Sequence, residues 1–241
     1  MSMEKIKNEN KPLISIVTVV FNAAEDLEKT ILSVIDQTYD NVEFLIIDGM
    51  SFDGTVDVIK KYESKINYWV SEKDDGVYDA MNKGIKAANG EWINFMNAGD
   101  IFFESKTLDK IDFRMHKESS LIYGNTIIDN KFQLSAPLKQ LKCGEIMTCH
   151  QSMFFNLNLK HKNSVYYDLS YKINADYELV NRLYLAFNSF TKLDQTIAKY
   201  KGEGISSMHV WQLRKDRFRA LYNHFGLIGI IRGLWFRLKK L

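Results

Sequence analysis

Acidic and amide side chains collect at four places in the first hundred residues. They are Phe21-Asn22 after the apolar run LISIVTVV, Asp48 with Ser51 and Asp53 in IIDGMSFDGT, Asp75 and Asp79 in EKDDGVYDAMNKG, and Asn97 with Asp100 in NAGD. Any one of these is ordinary turn and helix-cap chemistry, because Asp and Asn satisfy free backbone N–H groups. Four in succession, each after a short apolar run, read as one polar rim around one cleft. Clustered carboxylates repel a diphosphate unless a hard divalent cation lies between them, and Mg2+ or Mn2+ suits an oxygen-donor site with few protein ligands. Asp100, preceded by small Ala98 and Gly99, is the candidate ligand. A glycine-cradled phosphate is excluded: the chain has no G-x-x-x-x-G-K-[ST], and no G-x-G-x-x-G after its first apolar run.

The elements that must position these residues follow from periodicity. Residues 13–20, 42–48, 66–71 and 91–97 read as strands, and 24–37, 55–62 and 77–88 as helices. Alternation of strand and helix with short connections predicts an α/β fold with a largely parallel sheet flanked by helices. Ligands of such sheets collect at the carboxyl ends of the strands, which is where the four polar clusters fall. Beyond residue 100 the rhythm changes. Residues 120–136 predict a hairpin, 147–155 a strand, 173–187 a helix and 189–201 a pair of strands. Taken alone, Asp176 reads as a dipole-favoured acid in the first turn of a helix, and His150 as a core residue on an apolar strand.

Composition narrows the classes further. The 241 residues are 46% hydrophobic and 26% charged with a net charge of +2, which excludes wholesale disorder and a nucleic-acid polyelectrolyte. Two cysteines, Cys143 and Cys149, make neither a disulfide framework nor a four-cysteine zinc site, so a reduced, cytoplasmic setting is expected. No run approaches the roughly 18 apolar residues that span a bilayer. The last segment departs from the average. Residues 209–241 hold eight Lys/Arg against the single acid Asp216, and their apolar residues lie nearly all round a helical wheel. A basic, Trp-containing helix of this kind either docks on the domain or lies on anionic lipid at the inner face of the cytoplasmic membrane.

TVVFN (18–22), SVIDQTY (33–39), IIDGMSFDGT (46–55), DGVYDAMNKG (75–84), NAGD (97–100), TCHQSMFF (148–155), NADYEL (174–179) and GEGISS (202–207) occur in the order shown by family 2 glycosyltransferases. The chain resembles that family over about residues 12–210, and within it the bacterial branch that builds cell-surface polysaccharides such as capsule and O-antigen. The resemblance implies a GT-A fold over 1–208, with a nucleotide-binding half (12–100) and an acceptor half (101–208), followed by a basic helical extension (209–241). It also implies transfer of a hexose-type sugar from a nucleoside-diphosphate sugar, expected to be UDP-linked, to a saccharide or lipid-linked acceptor with anomeric inversion.

Residue by residue, the resemblance implies that Thr18, Phe21 and Asn22 line the base and ribose pocket. Asp48 would bond the base, with Ser51 and Asp53 fixing its turn. Asp75, Asp79 and Asn82 would floor the ribose and diphosphate, with Asn97 beside them, and Asp100 would hold Mn2+ or Mg2+. Asp176 would be the catalytic base, His150 and Gln151 would face acceptor or phosphates, and Gly204 and Ser206 would belong to a closing loop. Two positions depart from the family's commonest form: Gly99 stands where a second acid is frequent, and Ala175 stands for the first acid of the E-D pair. Those losses leave a non-catalytic nucleotide-sugar scaffold as one competing reading. A sugar nucleotidyltransferase is the other, disfavoured because TVVFNAAEDLEK has neither glycine nor arginine for a triphosphate.

Overall fold

The computed structural model describes residues 11–158, 164–202 and 209–239. Four strands form the first half of the sheet: β1 (Ile14–Val20), β2 (Val42–Asp48), β3 (Tyr68–Ser71) and β4 (Trp92–Phe95). They run parallel in the order β3-β2-β1-β4, with Val20 in register with Asp48 and Asp48 with Ser71. Every residue of β1 is buried, because helices cover both faces. Val17 and Val19 meet Met81 and Ile85 of α3 (Val77–Ala87). Ile14, Ile16 and Val20 meet Leu27 and Ile31 of α1 (Ala24–Ile35), with Ile59 of α2 (Thr55–Lys61) beyond. Close approach of α3 requires Gly84, where a Cβ would lie 2.4 Å from Val17 Cγ1.

The second half extends this sheet with mixed polarity. Beyond β4 come β8 (Met153–Asn156), β6 (Leu121–Ile128), β9 (Phe190–Tyr200) and the short β5 (Ile101–Phe102), with β7 (Lys131–Gln133) paired to β6 as the expected hairpin. Two details differ from the sequence reading. The apolar run 147–155 is a strand only from Met153, because His150–Ser152 turns through a 3-10 helix before the chain enters the sheet. Residues 189–201 form one strand and not two, since the irregularity near Gln195 is a register shift against β6 and not a turn. The helix α4 (Ala175–Phe187) then leads into β9.

The basic C-terminal segment is a helical hairpin. Its helix, α5 (Val210–Leu238), is broken at Gly226, whose φ of 61° and ψ of −158° suit glycine alone. The second arm folds back on the first, so that a Cβ on Gly233 would meet Leu221 Cδ2 at 3.0 Å. Asp216, Ala220 and Leu221 are buried, and the segment is therefore joined to the body of the domain. Among the described residues, no helix is long and apolar enough to cross a membrane.

Candidate active site

Because β1 to β4 are parallel, their carboxyl ends fall on one edge of the sheet and bring the four polar clusters together. Asp48, fully buried at the end of β2, accepts from the Ser51 N–H at 3.0 Å, from the Ser51 hydroxyl, and from Ser71 Oγ at 2.5 Å. Its own turn and the end of β3 are thereby tied to one carboxylate. The Asn22 N–H donates to Ser51 Oγ at 2.8 Å, while Asn22 Oδ1 receives the Phe52 N–H at 2.9 Å. Phe21 is exposed and meets Phe52 edge-on at 6.2 Å, an open aromatic lip over this corner. Asp53 is spent on structure: Thr55 Oγ1 donates to it at 2.5 Å and the Ala24 N–H at 3.3 Å, and the Thr55 bond first of all holds its carboxyl below the usual range.

Three expected donor contacts lie elsewhere or are already engaged. Thr18 is fully buried two residues before the end of β1 and donates to the Met96 carbonyl at 2.7 Å. Asn82 has both amide ends committed, donating to the Tyr167 carbonyl at 2.9 Å and accepting its N–H at 2.8 Å. It splices α3 to the second half of the chain. Asp79 receives the Asp75 N–H at 3.1 Å and faces Lys83 at 3.8 Å, leaving Asp75 exposed at the rim. Gly204 and Ser206 lie outside the described residues.

The NAGD turn is held from beneath by α1. Thr30 Oγ1 donates to the Asp100 carbonyl at 2.8 Å and accepts the Gly99 N–H at 2.9 Å, with Gly99 at a φ of 95°. A side chain at 99 would therefore be strained, which is a physical reason for glycine where the family frequently has an acid. Asn94, inside β4, donates to the carbonyls of Gln151 and Met153 at 2.9 and 2.8 Å and fastens the 3-10 turn over the site. Gln151 Nε2 then donates to Asp100 Oδ2 at 2.8 Å, and Asn97 Nδ2 meets His150 Nε2 at 3.0 Å. Burial raises the Asp100 carboxyl to about 7 against the pull of Gln151 and the Asn97 N–H, and burial depresses His150 to about 4, so that imidazole is neutral at pH 7.

These donors fit a hard cation. Asn97 Oδ1 and Gln151 Oε1 are buried oxygens with no hydrogen-bond partner; Gln151 holds the Asp100 carboxylate through its amide nitrogen, and Asn97 belongs to the same NAGD turn. Among the described residues no three His, Cys, Asp or Glu side chains gather as a metal cage. One carboxylate with neutral oxygens beside it instead suits an ion that takes most of its ligands from a diphosphate and water.

Asp176 lies in the first turn of α4, half-buried, accepting its neighbour Tyr177's N–H at 2.8 Å. Burial raises its carboxyl to about 6, partly offset by that N–H and by the Arg217 guanidinium. Its turn is clamped at Ile173: Tyr78 Oη donates to the Ile173 carbonyl at 2.6 Å, and the Ile173 N–H donates to Asp216 Oδ2 at 2.9 Å. Tyr78 stacks on Tyr167 at 5.1 Å, tying α3 to the second half of the chain. The phenol of Tyr200, at the end of β9, is pushed far above its usual value by burial and by the charges of Cys149, Asp100, Asp129 and Asp176.

Sequence reasoning missed Tyr200, Arg217 and Asp216 as neighbours of this site. Asp216 alone carried a signal, as the single acid in a run of cations.

The profile of Glycosyl transferase family 2 matches residues 15–174, two thirds of the sequence. The chain belongs to glycosyl transferase family 2. It is 30% identical over 179 residues to a PGL/p-HBAD biosynthesis glycosyltransferase of Mycobacterium bovis, covering 69% of this chain and 68% of that one. Its fold is that of GT-A enzymes. It superposes on S. aureus TarS 1-349 in complex with UDP-GlcNAc with a TM-score of 0.69 at 15% identity, over 92% of this chain and 70% of the other. Against the longer TarS structure it spans 40% of the length. A mannosyltransferase from Pyrobaculum calidifontis, in complex with GDP-Man and Mn2+, gives a TM-score of 0.66 at 15% identity, over 90% of this family 2 chain and 64% of that protein.

Proposed function

We propose that this family 2 glycosyltransferase transfers a hexose-type sugar, with inversion, from a nucleoside-diphosphate sugar to a lipid-linked saccharide in bacterial cell-surface polysaccharide synthesis. The observation that carries the reading is Asp100 at the carboxyl edge of the parallel strands, held by Gln151 and accompanied by the unpartnered oxygens Asn97 Oδ1 and Gln151 Oε1, with a second carboxylate raised by burial, Asp176, in the first turn of α4. UDP is the favoured nucleotide, because TarS is seen with UDP-GlcNAc. Asp48, Ser51 and Asn22 shape the corner for the base under the Phe21 lip, and Asp75 and Asp79 border the ribose and diphosphate.

Asp100, with Asn97 Oδ1 and Gln151 Oε1, would hold Mn2+ or Mg2+. When bound, such an ion neutralises charge on the departing diphosphate, so no general acid is needed there. Asp176 takes the proton of the acceptor hydroxyl as that oxygen forms its bond to the anomeric carbon and the bond to the diphosphate breaks. A carboxyl held near 6 is ionised at neutral pH yet basic enough to accept that proton. Neutral His150 orients Asn97 and adds no charge beside the donor.

The test is a donor screen by thermal shift with Mn2+, over UDP-, GDP- and dTDP-sugars, followed by assay of nucleoside diphosphate release with a lipid-linked acceptor. Asp100→Ala should lose metal-dependent donor stabilisation, while Asp176→Asn keeps it and loses transfer. If wild-type protein gains no stability from any nucleoside diphosphate, the scaffold reading takes its place.

A further inference from the structure

The two arms of the α5 hairpin enclose an open cleft of about 340 Å3. Its walls are apolar, formed by Phe218 from the first arm and Leu234 from the second, both exposed. Its rim is cationic, with Arg214, Lys215 and Arg217 on one side and Arg237 on the other. Among the described residues four cations border the cleft and no acid does: Asp216 points inward, held by the Ile173 N–H and by Gln212 Nε2 at 2.7 Å. The cleft also adjoins the site already described. Arg217 reaches Glu145 at 3.8 Å and packs its stem over Gly144, and its guanidinium acts on the Asp176 carboxyl.

An apolar trough with a ring of cations matches neither a sugar nor a nucleotide base, which want amide and carboxylate partners. It matches an amphiphile with an anionic head and a hydrocarbon tail. We propose that this cleft binds the lipid phosphate or diphosphate of the acceptor, head group on Arg214, Lys215, Arg217 and Arg237 and chain along Phe218 and Leu234. An acceptor seated there presents the sugar beyond its phosphate to Asp176, since Arg217 belongs to both places. The outer face of the second arm continues the trough with exposed Leu227, Ile228 and Ile231, so the tail leaves the cleft toward an apolar phase. The proposal rests on the glycosyl-transfer reading for what the lipid carries, but the cleft's chemistry stands by itself.

The probe is farnesyl diphosphate, titrated into the full chain by calorimetry and by fluorescence of Trp211, which lines the same cleft. Saturable binding is expected, at least tenfold tighter than inorganic pyrophosphate, which lacks the tail, and than farnesol, which lacks the head. Arg214→Gln with Arg237→Gln, and separately Leu234→Gln, should each weaken it tenfold or more. All three positions are exposed, and circular dichroism checks that the fold persists. Lys60→Gln, on exposed α2, should leave it unchanged. Absence of farnesyl diphosphate binding, equal binding of pyrophosphate, or indifference to Leu234→Gln would each overturn the proposal. So would attachment to phosphatidylglycerol vesicles that farnesyl diphosphate does not compete, because that describes a general membrane surface. Failure of every nucleoside diphosphate to bind alongside intact farnesyl diphosphate binding sinks the transfer reading alone; the reverse pattern sinks the cleft alone.

Discussion

If Asp176 is the base, turnover must follow its ionisation. With the carboxyl held at about 6 by burial, it is about 9% ionised at pH 5 and about 99% at pH 8. At saturating donor and Mn2+, kcat should therefore fall about tenfold from pH 8 to pH 5, with a slope of one decade per pH unit on the acid side. Arg217 draws the carboxyl down, so Arg217→Gln should move this limb toward higher pH even where acceptor KM also rises. Asp176→Asn removes the proton acceptor and should lower kcat by about 10²- to 10⁴-fold. Single-turnover release of nucleoside diphosphate reads all three. A kcat flat from pH 5 to 8, or an Asp176→Asn variant retaining more than about a tenth of wild-type kcat, would refute the assignment.

Three further outcomes follow from the packing. Asp100 binds its proton more tightly folded than unfolded, so its contribution to stability is complete below its ordinary value of 3.8 and disappears as pH rises past about 7. At about 1.4 kcal/mol per pH unit, Asp100→Asn should gain up to about 4 kcal/mol on wild type between pH 4 and 8, seen as diverging urea midpoints without metal. The comparison with the variant is needed because neutral His150 slopes the opposite way, losing stability as pH falls from 6.5 to about 4. Asp216→Ala leaves the Ile173 N–H unpaired and should cost about 2–4 kcal/mol by urea denaturation, with Asp216→Asn losing less because an amide oxygen still accepts. Gly84→Ala drives a methyl into Val17 and should cost about 1–3 kcal/mol, lowering Tm by several degrees.

The first hundred residues were legible because their information is local. Buried runs such as VEFLIID and helical spacing such as Leu27-Ile31-Val34 name the element directly, and parallel order then puts Asp48 and Asp100 at one edge. The second half resisted because its elements are decided by partners far away in the chain. TCHQS is turned out of strand geometry beside Asn94, which takes the Gln151 and Met153 carbonyls, and β9 runs straight through Asp194-Gln195 because β6 accommodates the shift. Thr18 shows a related limit: position along a strand gives nearness to its end, but the bond across to the Met96 carbonyl decides which way the hydroxyl faces. The all-round apolar wheel of 221–238 became intelligible only with Gly226, since two antiparallel arms need apolar residues on different sides.

The shared hold on Ile173 gives the tail of the chain a second office. One carboxylate from α5 takes the N–H of this residue and one phenol from α3 takes its carbonyl, three residues ahead of Asp176. A shortened protein ending before residue 216 would not simply forfeit an attachment device. It would slacken the mount of its own proton acceptor, and a truncation experiment on localisation would report on chemistry as well.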